Sequence, residues 1–244
     1  MLGTKKNNNM PKKKVLILGG SSDIGISTMN IFLKNNWEVY CHYNSSNIFK
    51  KKKNKNLKFF KLDFSTTEKQ IDNELNHIKK LNFSSIINLV GYMDGDNFEN
   101  FTISNSLKTI QINSIVPFYI IKKLLPGMIK NRFGRILQTS SIGVKFGGGK
   151  NTFNYSLSKK LNEFLPSHIK SLANKNILVN TLIIGVTKTK IHKKIQSKNL
   201  RIRKKLIPMQ RIAHPDEIAK YIFFISSENN SYVTGQHLTI SGGE

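Results

Sequence analysis

Cysteine, tryptophan, acidic residues and arginine are all scarce in this 244-residue chain. It holds one Cys (Cys41), one Trp, and 14 acidic side chains against 39 basic ones. A lone cysteine excludes an internal disulfide framework, and with no apolar leader read at the N-terminus a reducing cytoplasm is the expected compartment. Long apolar runs are missing as well. Residues 15–18 and 183–184 with their neighbours fall far short of the roughly 18 residues a membrane-spanning helix needs, so a soluble protein with no membrane partner is expected. The six histidines (42, 77, 168, 192, 214 and 237) show no ligand spacing, which predicts no catalytic metal. No G-x-S-x-G nucleophile elbow occurs either.

The formal charge of +25 invites a nucleic-acid or membrane-surface reading. The excess is almost all lysine, with Arg132, Arg135, Arg201, Arg203 and Arg211 the only arginines, and asparagine is nearly as abundant as lysine. Joint Lys and Asn enrichment fits an AT-rich coding bias better than selection for phosphate recognition, where the bidentate guanidinium is favoured. Nucleic acid is therefore not the expected partner. Two lysine clusters are dense enough to stand apart, at 50–55 and 188–205.

Residues 1–9 carry no periodicity and are expected to form a disordered tail, with Met10 an alternative start. Beyond them, short apolar runs alternate with helical patterns. Strands are expected at 15–19, 38–43, 57–62, 85–90, 135–140, 177–184 and 237–240. Helices are expected at 24–36, 67–81, 106–130, 153–174 and 215–227. Strand followed by helix, repeated, implies parallel pairing with right-handed crossovers, and near-continuous apolar strands imply a sheet covered on both faces. No linker or repeat divides the pattern. The expected fold is one α/β domain over 10–244, doubly wound and Rossmann-type, with a mostly parallel seven-stranded sheet. Ligands in such sheets bind beyond the carboxyl ends of the strands, so the chemistry is expected there.

The loop LGGSSDIG (18–25) follows the first strand but fits neither G-x-G-x-x-G nor the P-loop pattern, since Ile26 stands where the P-loop lysine would be. Gly19 and Gly20 permit a tight turn, and Gly25 lets the helix pack close to the strand. A helix start there would offer N–H groups to a diphosphate without a lysine. An ordinary glycine turn with Asp23 as N-cap is the plainer alternative. In NYSLSK (154–159), Tyr155 and Lys159 are four apart and project from one helix face. A phenol is a poor proton shuttle at neutral pH, and an adjacent ammonium stabilises its phenolate. Ser141, ending the preceding strand, is placed to hydrogen-bond a substrate carbonyl. An unremarkable surface pair is the alternative for Y-x-x-x-K alone.

Jointly these pieces resemble the short-chain dehydrogenase/reductase family from about residue 13 onward. They occur in family order: GGSSDIG, Asp63, NLVG (88–91), Asn113, Ser141, Tyr155 with Lys159, Asn180, Gly185, Thr189, YVTGQ (232–236) and SGG (241–243). The resemblance implies an NAD(P)-dependent oxidoreductase interconverting a ketone and a secondary alcohol. Tyr155 would be the general acid/base, Lys159 would lower its pKa and hold the nicotinamide ribose, Ser141 would orient the carbonyl, and Asn113 would hold a relay water. Gly19, Ser21, Ser22, Asp23, Ile24 and Gly25 would cradle the diphosphate. Asp63 with Phe64 would meet the adenine, Asn88 and Gly91 the ribose and diphosphate, and Val186 with Thr189 the carboxamide. Asn88, Asn113 and Asn180 have an alternative as satisfiers of buried backbone.

The chain departs from the family pattern at Leu18, Asp23, Leu89, Val90 and Ile184. As the expected N-cap of a helix opening at Ile24, Asp23 would leave the N–H groups of Ser22 and Ile24 to the diphosphate. The second strand ends HYNSS (42–46) with no acid to hold a ribose 2′-hydroxyl, and Asn44, Ser45 and Ser46 suit a 2′-phosphate, which favours NADP over NAD. The basic stretch 188–206 would be a substrate lid. Its charge fits an acidic carrier or a mere lysine bias. Within the family the resemblance is to 3-oxoacyl-acyl-carrier-protein reductases, with a sugar or polyol dehydrogenase of surface-polysaccharide synthesis as the alternative. From another class, an idle dinucleotide-binding protein with a nucleic-acid-binding surface is weighed, and the intact Ser141, Tyr155 and Lys159 argue against it. A homotetramer built on the long helices near 106–130 and 153–174 is what the resemblance implies.

Overall fold

A computed structural model describes residues 12–45, 54–191 and 200–244. The expected tail, Ser46, residues 50–53 of the first lysine cluster and residues 192–199 of the expected lid lie outside the described residues. The strands are β1 (Lys14–Leu18), β2 (Glu38–Tyr43), β3 (Leu57–Lys61), β4 (Ser85–Asn88), β5 (Gly134–Ser141), β6 (Ile177–Ile184) and β7 (His237–Ile240). They pair in the order β3-β2-β1-β4-β5-β6-β7, and every pairing is parallel. The chain runs outward from β1 through β2 to β3, then returns to the other side of β1 as β4. That reversal opens a crevice past Leu18 and Asn88, which are register partners.

The helices are α1 (Asp23–Lys34), α2 (Glu68–Leu75), α3 (Ile103–Ile110), α4 (Val116–Asn131), α5 (Phe153–Leu161), α6 (Ser167–Ser171), α7 (Leu200–Lys205) and α8 (Pro215–Ile225). Two apolar clusters cover the two faces of the sheet. Leu16, Phe83, Ile120, Leu124 and Met128 pack with α2 and α4 on one face, and Ile17, Met29, Phe32, Ile218 and Ile222 pack with α1 and α8 on the other. Val15, Leu16, Ile17 and Leu18 of β1 are all 0% exposed, because a central parallel strand faces both layers. Each such side chain contributes about 1.5–3 kcal/mol through burial.

Three of the expected helices differ in the structure. The pattern at 153–174 divides into α5, a turn, α6 and a tighter turn over Leu172–Lys175. Pro166 causes the break, since it offers no N–H and disfavours the helical conformation at Leu165; it becomes the residue from which α6 starts. The pattern at 106–130 becomes α3 and α4 joined through one wide π turn over Gln111–Ile115, with Pro117 just after it. The whole rod Ile103–Asn131 is long and apolar enough by composition to cross a membrane. Its apolarity is accounted for by packing, since Val116, Ile120, Ile121, Leu124, Leu125 and Met128 are buried against the sheet. The pattern at 67–81 closes earlier than expected, at Leu75.

Arg135 is a core cation that composition gave no reason to single out. It is 2% exposed, and its guanidinium donates to the carbonyls of Gly134 (2.9 Å), Asn176 (2.9 Å) and Asn230 (2.7 and 3.0 Å). Burial lowers its pKa to about 10. It fastens β5 to the turn after α8, so Arg135→Met strips the Asn230 carbonyl of its two guanidinium donors and takes one donor each from the Gly134 and Asn176 carbonyls, the latter keeping the Gly134 N–H at 3.0 Å. We expect that variant to lose about 2–4 kcal/mol of stability, read as a lower urea midpoint at unchanged m value. An unshifted midpoint would show the carbonyls find other partners.

Candidate active site

The crevice is a cleft of about 1430 Å³ whose walls include the glycine turn after β1, the ends of β2 to β6 and the residues after β6. The turn is built by close contact. Gly19 has φ 75°, and a side chain there would meet the Leu89 carbonyl at 2.9 Å. A side chain at Gly25 would lie 2.7 Å from the Gly19 oxygen, so Gly25 lets α1 start directly against the turn. The N-cap of α1 is Ser22, not Asp23. Ser22 is extended (φ −71°, ψ 160°) and its Oγ accepts from the Gly25 N–H at 3.0 Å, which leaves Asp23 inside the first turn. The Ser22 N–H is also taken, by the Gly19 carbonyl at 3.1 Å. Among the described residues, the backbone N–H groups of Ser21, Asp23 and Ile24 meet no acceptor, which makes this a helix start suited to a diphosphate.

Asp23 has a different partner from the one expected. Its Oδ2 accepts the Lys190 backbone N–H at 2.6 Å, tying the start of the expected lid to the phosphate turn. Val186, Thr187, Thr189 and Lys190 line the cleft, with the Thr189 hydroxyl donating to the Thr187 carbonyl at 3.3 Å. Gly185 remains glycine because a side chain would strike Ser241 Cα at 2.5 Å. The expected carboxamide region is therefore shaped by β7 as well as β6. Asn180 joins the same strands from within: it donates to the Val233 carbonyl at 2.8 Å and accepts from Gln236 N–H at 3.0 Å.

At the adenine end, Asn44, Ser45, Asp63 and Phe64 all reach the cleft wall. Asp63 Oδ1 accepts from the backbone and side chain of Ser65, which holds its carboxyl below the usual range. Oδ2 takes no hydrogen bond among the described residues and remains an acceptor for an amino group.

The catalytic end is set by α5. Tyr155 and Lys159 share a face, with Lys159 Nζ 5.8 Å from the Tyr155 ring centre. Nζ donates to the Val90 carbonyl (2.7 Å), the Thr139 carbonyl (3.2 Å) and Thr139 Oγ1 (3.4 Å). Burial among these neutral oxygens lowers the Lys159 pKa to about 7. The Tyr155 pKa goes the other way from expectation. Desolvation raises it to about 12, opposed by a hydrogen bond with Ser141, so in this state the lysine charge does not prevail. Ser141 Oγ also accepts from the Gly143 N–H at 3.2 Å, which orients it over the cleft. Gly91 leaves open space in front of the phenol: a side chain there would meet only Ile191 Cδ1 at 3.7 Å and Tyr155 Cε2 at 3.8 Å.

Three expected site residues do not line the cleft: Gly25, buried where α1 starts against the turn, Asn113 and Asn88. Asn113 is 0% exposed in the π turn. Its Oδ1 accepts from Tyr92 N–H (2.7 Å), its amide donates to the Tyr92 carbonyl (2.9 Å) and Ser158 Oγ (2.9 Å), and its own carbonyl accepts from Asn88 and Asn162 (3.2 Å each). Bonded in this way, Asn113 positions the 90–92 turn against α5. Asn88 is likewise 0% exposed and donates to Gln138 at 2.8 Å while accepting from Val90 N–H at 3.1 Å. It shapes the turn behind Gly91 without lining the cleft. A network absent from the sequence reading supports α5 from the other side. Asn154 donates to Asp94 (2.8 Å) and Asp96 (3.3 Å) and accepts from Ser106 (2.6 Å), next to Tyr155.

The profile of a family described as "Enoyl-(Acyl carrier protein) reductase" matches residues 19–244. A curated relative from Buchnera aphidicola (subspecies Schizaphis graminum), named 3-oxoacyl-[acyl-carrier-protein] reductase FabG, is 30% identical over 238 residues, covering 96% of this chain and 88% of its own. A protein of the same name from Chlamydia pneumoniae is 28% identical over 248 residues, covering 95% and 96%. Among solved structures, ElxO with NADP bound superposes with a TM-score of 0.81 at 28% identity, covering 96% of this chain and 98% of that one. With that match over the whole sheet and the Ser141, Tyr155 and Lys159 cluster at its switch point, the chain belongs to the short-chain dehydrogenase/reductase family of NAD(P)-dependent oxidoreductases.

Proposed function

We propose that the protein is an NADPH-dependent reductase of a 3-oxoacyl thioester carried by an acidic carrier. The observation that carries this reading is the convergence of Tyr155, Ser141 and Lys159 on one cleft wall facing a dinucleotide-sized crevice. Bound nicotinamide supplies the hydride. Ser141 holds the ketone oxygen and Tyr155 gives it a proton; Lys159, anchored on Val90 and Thr139, faces the ribose. The proton leaves the phenol for the new alkoxide, so Tyr155 must be protonated at the start of each reduction. The relatives' names support the acyl-carrier class, and the apolar wall formed by Met93, Ile112, Ile142, Phe146 and Leu206 supports an acyl chain over a sugar.

Tyr155→Phe is expected to lower kcat by 10²–10⁴ with little change in NADPH affinity, measured by turnover and by fluorescence titration. Retained full turnover would sink the mechanism. The pH dependence follows from Lys159, whose charged form exists below about 7 and is lost above it. Since kcat/KM reports the free enzyme, kcat/KM for NADPH should fall as pH rises through about 7, while the limb in kcat moves upward because the bound diphosphate favours the ammonium. A flat profile from pH 6 to 9 would contradict this.

The 2′-phosphate reading of Asn44 and Ser45 makes NADPH the preferred cofactor. Michaelis constants for the two dinucleotides test it, and a lower value for NADH overturns it. Acetoacetyl thioesters should be reduced and ketosugars should not. Reduction of the carrier-bound substrate should also weaken with added salt, because the basic lid faces an acidic partner. The exposed faces of Ile103, Leu107 and Ile115 on the long rod and Leu157, Leu161 and Phe164 near α5 suit a homotetramer, and the reducing cytoplasm suits the lone buried Cys41.

Asp23 places a carboxylate beside the diphosphate donors. Asp23→Asn should tighten NADPH binding several-fold, roughly 1 kcal/mol for removal of one like charge near the surface. Weaker binding in the variant would instead make the Lys190 tether the dominant contribution.

A further inference from the structure

Behind the glycine turn lies a histidine that the mechanism does not use. His42, near the end of β2, is 4% exposed. Its Nδ1 accepts the Gly19 N–H at 3.1 Å, its Nε2 lies 2.8 Å from the Leu62 carbonyl, and its own carbonyl accepts the Gly20 N–H at 2.9 Å. A carbonyl only accepts, so Nε2 carries the proton and Nδ1 the lone pair. The ring also stacks on Phe64 with centroids 4.2 Å apart and planes at 6°. One side chain therefore touches the diphosphate turn at Gly19, the segment after β3 at Leu62, and the adenine wall at Phe64.

We propose that His42, as the neutral Nε2–H tautomer, is the positioning residue that locks the diphosphate turn to the adenine wall, so that the dinucleotide site holds its shape only while the imidazole is uncharged. A proton on Nδ1 would point at the Gly19 N–H, and the turn would have to move. Gly19 is already pressed against Leu89, and Gly20 against Cys41, where a side chain would come within 2.9 Å. Little room exists for a small adjustment, and the alternative is an opened turn. The surroundings support the uncharged form. Phe60 and Phe64 pack on the ring, His77 lies beyond Phe60, and Asp63 is the charged side chain that acts on it, favouring the cation. Burial outweighs that attraction and lowers the His42 pKa from 6.5 to about 4. The sign follows: an opened turn takes up a proton near 6.5 and the closed turn only near 4, so closure is fully favoured above 6.5 and progressively lost as pH falls from 6.5 towards 4.

This inference rests on the dinucleotide reading of the cleft, and its test separates the two. Wild type, His42→Asn and His42→Phe are compared for NADPH affinity between pH 8 and 5, alongside imidazole ¹⁵N shifts and exchange of the Gly19 and Gly20 amides. His42→Asn keeps a neutral acceptor, and His42→Phe keeps only the stack. Apart from the Lys159 limb above about 7, which all three proteins share, we expect wild-type affinity to be flat above pH 6.5 and to fall at least tenfold by pH 5. His42→Asn should lose most of that added fall, and His42→Phe should bind at least tenfold more weakly at pH 8 with kcat at saturating NADPH within twofold of wild type. The 2′-phosphate of the dinucleotide titrates in the same range in all three, so the difference between profiles isolates the histidine. The ¹⁵N shifts should show Nδ1 unprotonated at pH 6, with Gly19 exchange quickening below it. Identical profiles for wild type and His42→Asn, or an Nδ1–H tautomer, would overturn the inference. Failure of every protein to bind NADPH or NADH would sink the dinucleotide reading instead, while the amide exchange still decides whether His42 locks the turn.

Discussion

The site depends on how one buried ammonium is satisfied. Lys159 sits at 3% exposure with no carboxylate beside it, and its partners are the oxygens of Val90 and Thr139, beyond β4 and near the end of β5. A cation in that setting is tolerated only while all its donors are placed, so α5 has one position against the sheet. Tyr155, one turn earlier on the same face, inherits that position. Asn162, at the end of α5, repeats the arrangement by donating to the carbonyls of Asn113 (3.2 Å) and Thr139 (3.1 Å). The catalytic geometry is thus enforced by polar groups that would be unsatisfied anywhere else.

The same logic separates what a one-dimensional reading could find from what it could not. The glycine turn, Ser141 and the Tyr155–Lys159 pair were legible because each depends on spacing over a few residues, and strand periodicity placed them at strand ends. The break at Pro166 was hidden because Leu161, Phe164, Leu165, Ile169 and Leu172 continue an apolar rhythm across it. The roles of Asn88 and Asn113 turned on partners 25 to 50 residues away, such as the Asn113 carbonyl and Gln138. No local pattern announces where an asparagine's hydrogen bonds go. Asp23 is the instructive case: its position next to a helix start made capping the natural expectation. Ser22 took the cap because its own backbone is extended, and Asp23 found Lys190, 167 residues on.

Electrostatics in the cleft are governed by desolvation more than by charge pairing. Tyr155 is raised, and Lys159 and His42 are lowered, and burial is the leading cause in each case. The high net charge of the chain is therefore a poor guide to its active site, where the buried Lys159 is held by neutral oxygens. The surface charge and the chemistry are separate properties of the molecule.

The π turn at Gln111–Ile115 bears on which sequence changes the fold can absorb. Such a turn holds one residue more than the α turn it replaces, and one residue is about 100° of rotation. Loss of a single residue there would leave an unbroken helical ladder but swing the Val116, Ile120 and Leu124 stripe away from the sheet. Length in this stretch acts as a phase setting for everything C-terminal to it in the helix. Substitutions along the rod are then graded by burial, while insertions and deletions within these five residues are all-or-none.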